Sequence, residues 1–106
     1  MGELPLEAPV MSMARFFVSG AVEKEFESVC DAQLQKVVDG SKPFKVAAGW
    51  RYDEGLGKRE MLVFSGWGSK EAHMAFGAEA KKDPEYARIG ELPDAIEIKH
   101  MTNLEA

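Results

Sequence analysis

Glu60-Met61-Leu62-Val63-Phe64-Ser65-Gly66-Trp67-Gly68-Ser69-Lys70-Glu71 changes periodicity part-way along, and the fold is read outward from that change. Glu60 to Trp67 is apolar on both faces, which predicts a central strand. Ser69 is a candidate N-cap, and Glu71 sits in the first turn, where the helix dipole favours negative charge. A helix is expected from Lys70 to about Lys81, with Ala72, Ala75, Phe76 and Ala80 turned inward. Asp83-Pro84 reads as a fresh helix start, with Asp83 capping and Pro84 at the first helical position. Tyr86, Ile89 and Leu92 form the inner stripe of that short piece, and Pro93 closes it. Ala95 to Met101 is the last strand, with Ile96, Ile98 and His100 on one face.

Upstream, Phe44 to Tyr52 alternates, with Phe44, Val46, Ala48, Trp50 and Tyr52 on one face, as a strand requires. Residues 53–58 form a hairpin-type loop. Ala21 to Asp39 is an amphipathic helix, because Val22, Phe26, Val29, Cys30, Gln33 and Val37 recur at helical spacing. Glu23, Glu25 and Glu27 crowd its start and Lys36 its end, and Gly40 is its expected C-terminal cap. Residues 10–19 form the first strand, in which Arg15 interrupts a face shared by Met11, Met13 and Phe17. The order strand, helix, strand, strand, helix, strand predicts an α+β, ferredoxin-like βαββαβ domain over 10–106 after an N-terminal extension at 1–9. It has a four-stranded antiparallel sheet with helices on one face. The other face is expected to pack on a second copy about a twofold axis.

Composition narrows the partners. The 106 residues are 45% hydrophobic, too apolar for a disordered chain, yet no continuous run suits a membrane span. Thirteen basic and 18 acidic residues give a net charge of -5 with no basic block, so neither nucleic acid nor membrane is an expected partner. The single cysteine, Cys30, excludes an internal disulfide framework and a cysteine-built zinc site. Met1 to Pro9 has no basic residue, unlike a signal or mitochondrial peptide, and the expected location is the cytoplasm. Gly2-Glu3-Leu4-Pro5 also fits the end of a linker, which leaves open a longer tandem protein.

Gly49-Trp50, the run Leu62 to Phe76 (LVFSGWGSKEAHMAF) and Ile96-Glu97-Ile98-Lys99-His100-Met101 together resemble the dimeric α+β barrel superfamily. The nearest resemblance is to antibiotic-biosynthesis-monooxygenase-like domains and their fungal relatives, in which a strand ending in Trp runs into a helix beginning Ser-x-Glu-Ala-His. The resemblance extends from about residue 10 onward. It implies a homodimer with a ligand cavity between sheet and helices in each subunit. Members include cofactor-free oxygenases, polyketide cyclases, isomerases, haem-degrading enzymes and stress-induced proteins, so the resemblance alone selects no reaction.

His100 and His73 are the candidate catalytic residues. Beside Ile96 and Ile98, His100 is expected to be desolvated and neutral, a form that takes a proton from a phenol or an activated C–H. The competing reading is a structural histidine. His73, one turn into its helix, could equally bond locally or face solvent. Projecting into one cavity, the two would supply a base and a polarising donor. Two histidines fall short of the three protein ligands of a catalytic zinc, and strand parity puts Glu97 on the face opposite His100, so no metal is expected.

Trp50, Tyr52, Trp67 and Phe76 are the candidate aromatic wall for a small hydrophobic or aromatic ligand, against the alternative of plain core packing. Arg15 either holds an anionic substrate or pairs with an acid across the dimer. Haem-degrading relatives use an Asn, a Trp and a His, whereas the one asparagine here, Asn103, lies near the C-terminus. Cys30 reads as a small apolar group, and Gly55-Leu56-Gly57 as a turn. Two readings follow. One is a cofactor-independent enzyme, monooxygenase or cyclase/isomerase, acting on an aromatic or polyketide-like molecule. The other is a non-catalytic small-ligand-binding or stress-responsive dimer, with its core filled between Trp50, Phe76 and Ile98.

Overall fold

The structure is a computed structural model and describes residues 7–50 and 59–102. In chain order the elements are β1 (Val10–Val18), α1 (Glu23–Ser41), β2 (Val46–Trp50), β3 (Arg59–Trp67), α2 (Lys70–Ala80), α3 (Pro84–Glu91) and β4 (Ala95–Thr102). The strands form one antiparallel sheet in the order β2-β3-β1-β4. This is the expected ferredoxin-like arrangement, and β3 is indeed internal. No helix among the described residues is long and apolar enough to cross a membrane.

Side-chain alternation gives the sheet two different faces. Ser12, Ala14, Phe16 and Val18 of β1 face the helices, while Met11, Met13, Arg15 and Phe17 face away. The core cluster is Phe16, Val18, Phe26 and Met61, with the Phe16 and Phe26 rings 5.4 Å apart. Phe26 and Val18 are fully buried, each stabilising the fold by about 1.5–3 kcal/mol.

Three local expectations need correction. Gly40 does not cap α1: the helix continues to Ser41, and Lys42 leaves it with extended backbone (φ -50°, ψ 142°). The terminator is Pro43, whose ring disfavours helical backbone at the preceding residue. Lys36 therefore lies short of the last turn. Its ammonium bonds the Asp83 carboxylate at 2.5 Å, tying α1 to the start of α3. On α2, Ala72 and Ala75 are exposed, and the inward residues are His73, Phe76, Gly77 and Ala80. The two expected caps are present. Ser69 Oγ accepts from Ala72 N–H at 3.0 Å, and Asp83 from Glu85 N–H at 3.0 Å with Pro84 opening the helix.

Candidate functional site

A cavity of about 190 Å³ lies between the sheet and the helices, and register explains its position. Rows of residues cross the strands on the helix-facing side. One end row is Trp50, Met61, Phe16 and Ile96; the middle row is Ala48, Val63, Ala14 and Ile98; the other end row is Val46, Ser65, Ser12 and His100. Two alanines in the middle row leave room that larger side chains would fill. Trp50 stands at one end, and Phe76 and Tyr86 meet edge-on at 6.0 Å on the helical side. Trp50, Phe76 and Ile98 line this space instead of closing it.

The serine end is polar. His73 Nδ1 lies 2.8 Å from His100 Nε2, so α2 and β4 deliver the two imidazoles as a hydrogen-bonded pair. His73 lines the cavity, whereas His100 stands behind it, on the edge strand. Trp67 stacks on His73 with centroids 4.6 Å apart and planes 17° apart. Its indole N–H donates to Ser65 Oγ at 2.9 Å. Burial, and then the neighbouring His100, push the His73 pKa down to about 4. That of His100 is lowered too, by desolvation first and then by Lys70. Both rings are neutral near pH 7. Their shared hydrogen bond can be donated from either side. When His73 donates its Nδ1–H, its Nε2 carries the free lone pair of a base.

The remaining expected site residues fall elsewhere. Trp67, only 3% exposed, backs His73 and is not on the cavity wall. Arg15 lies on the opposite face of the sheet, where its guanidinium meets Glu60 at 3.1 Å and Glu97 at 3.5 Å. It is thus directed away from the cavity, because it alternates with Ala14 and Phe16. Tyr52 lies outside the described residues. Cys30 lines the cavity as a protonated thiol, pushed up to about 12 by burial, with Asp31 and Glu27 adding to the effect. Glu27 accepts the Trp50 indole N–H at 2.8 Å. Among the described residues no three His, Cys, Asp or Glu side chains converge on a common point.

Ser12 and Ser65, unremarked in the sequence reading, line the cavity at 1% and 4% exposure. The available signal was a serine on the buried parity of an otherwise apolar strand, at Ser12 beside Ala14, Phe16 and Val18.

No protein-family model matches the sequence, and no curated protein matches it. Solved structures do match in fold. A NIPSNAP family protein from Agrobacterium tumefaciens superposes with a TM-score of 0.67 at 9% identity, over 88% of this chain and 83% of that one. SnoaB, a cofactor-independent oxygenase from Streptomyces nogalater, gives 0.63 at 17% identity, over 90% and 93%. Rv0793 from Mycobacterium tuberculosis gives 0.63 at 20%, over 93% and 98%. The chain therefore has the fold of the antibiotic-biosynthesis-monooxygenase-like proteins, as its sequence resemblance implied. A shared fold at such identities specifies no chemistry.

Proposed function

We propose that this chain is a cofactor-independent enzyme, of monooxygenase or cyclase/isomerase type, acting on a small aromatic or polyketide-like molecule held between sheet and helices. One observation carries the reading: a neutral histidine on the wall of an aromatic-lined cavity, bonded at 2.8 Å to a second histidine behind it. His73 takes a proton from a phenolic O–H or an activated C–H through Nε2. His100 accepts the Nδ1–H, fixes the ring and shares the charge as the imidazolium forms. In the oxygenase version the electron-rich substrate then reacts with dioxygen, its co-substrate, the class of reaction named for SnoaB. In the cyclase or isomerase version the same abstraction drives an aldol closure or a proton shift. A cavity of about 190 Å³ suits one or two rings, since drug-sized sites run to about 300–1,000 Å³.

The working unit in this reading is a cytosolic homodimer joined through the sheet face that the helices leave bare. The test is dioxygen uptake and product analysis with a panel of one- and two-ring phenols and enolisable ketones. Wild type turns over a member of the panel, and His73→Gln loses about a hundredfold or more of that rate. Full turnover in His73→Gln would remove the base. Tight binding without turnover anywhere in the panel would favour the ligand-binding reading.

A further inference from the structure

We propose that Ser12 and Ser65 form an oxyanion cradle: their hydroxyls hold the oxygen of a neutral phenol or enol in the ionised form that appears as His73 takes its proton. This rests on the reading of the cavity as a proton-abstracting site and assigns the group that stabilises the product of that step.

The two serines are paired in register on neighbouring central strands, and Ser12 is also opposite His100, so the hydroxyls and the imidazole pair share one end of the cavity. Ser65 Oγ already accepts the Trp67 N–H. A hydroxyl has one proton to give, and that acceptor bond leaves it free for a ligand while fixing the oxygen in place. Buried hydroxyls are costly among apolar side chains unless they are used, and the next row along carries the apolar Ala14 and Val63 at the equivalent positions of β1 and β3.

Charge selects the same class of substrate. The charged side chains among the described lining residues are the carboxylates of Glu27 and Asp31, with no lysine or arginine. A carboxylate-bearing ligand would be repelled on entry. A neutral phenol or enol enters freely, but its anion, once formed, needs neutral donors aimed at the oxygen. In the step itself the O–H bond breaks, its electron pair stays on oxygen, and the proton forms an N–H bond on His73. Ser12 and Ser65 donate to the oxygen throughout.

The test uses 4-nitrophenol, whose phenolate absorbs in the visible, with nitrobenzene as the analogue that has no ionisable oxygen. The readout is the phenolate-to-phenol ratio of the bound probe at a pH where the free probe is half ionised. In wild type the bound ratio exceeds the free one, and Ser12→Ala and Ser65→Ala each lower it by about three- to tenfold, the worth of one hydrogen bond. Nitrobenzene affinity stays the same in both variants, and Ser65→Thr, which keeps a hydroxyl, restores the ratio. Ser12→Ala carries the test alone if Ser65→Ala, which deprives Trp67 of its acceptor, does not fold. An unchanged ratio in the serine variants, or no excess ionisation in wild type, overturns the cradle. Failure to bind either probe instead overturns the aromatic-pocket reading beneath it. Loss of turnover in His73→Gln with the serine dependence intact separates the base from the cradle.

Discussion

His73 links stability to proton chemistry. Its pKa in the folded protein falls from an ordinary 6.5 to about 4, through burial first and His100 second. Between those values the unfolded chain holds the proton and the folded chain does not, so stability rises with pH across the window. It is fully present above about 6.5 and is lost as pH falls toward 4. The shift alone would correspond to about 3 kcal/mol, and solvent screening of a half-buried ring reduces the amount at stake to on the order of 2 kcal/mol. Urea unfolding from pH 7 to pH 4 should show that loss, and His73→Gln should flatten it; an equally steep loss in the variant would assign the effect elsewhere. For the same reason the acid limb of kcat/KM should fall near pH 4, well below the ordinary histidine value. The sequence offered His73 and His100 as groups that could share one cavity, but a separation of 27 positions conceals their direct contact, which exists only once α2 lies over β4. The serines were hidden differently. Parity marks Ser12 as a serine on a buried strand face, but only the register places it between Ser65 and His100.

Helix α2 was legible in its bounds and cap but not in its facing. Counting only apolar residues selects Ala72 and Ala75, whereas the true inward stripe, His73, Phe76, Gly77 and Ala80, includes the polar group used at the site. The end of α1 was misread for a related reason. Gly40 looks like a cap, but the helix runs on to Ser41, and the glycine is needed because Phe76 packs where its side chain would be. A Cβ built there would lie 2.3 Å from a Phe76 ring carbon. Alanine in place of a helical glycine is ordinarily worth about 1 kcal/mol, while overpacking costs about 1–3 kcal/mol. The Phe76 ring is flanked by Trp67 and Tyr86 at 5.1 and 6.0 Å, so it has little room to yield. Gly40→Ala should therefore lower the Tm. In a Phe76→Leu background the same substitution should become neutral or stabilising. A higher Tm for Gly40→Ala alone would contradict the packing account.

The two sheet faces divide the work of the molecule. The helix side encloses the cavity. The far side carries Met11, Met13, Phe17, Leu62 and Phe64 around the Arg15–Glu60 ion pair, with no helix among the described residues over them. An apolar surface of this kind is the natural seat of a second copy. Sedimentation at micromolar concentration should give a dimer, and Phe64→Glu should give a folded monomer whose cavity still binds ligand; a wild-type monomer would refute the dimer. Topology was legible because strand and helix periods alternate cleanly. The bare face was legible too, but Arg15 was open to two roles until parity assigned it to the side away from the cavity. The central claim is that His73, on the cavity wall, receives a proton from an aromatic ligand, and imidazole nitrogen NMR on ¹⁵N-histidine-labelled protein tests it most directly. On titration with 4-nitrophenol at pH 7, the His73 nitrogens should move to imidazolium shifts, with His100 responding through the shared hydrogen bond. Saturating ligand that leaves both rings neutral and unshifted would contradict it.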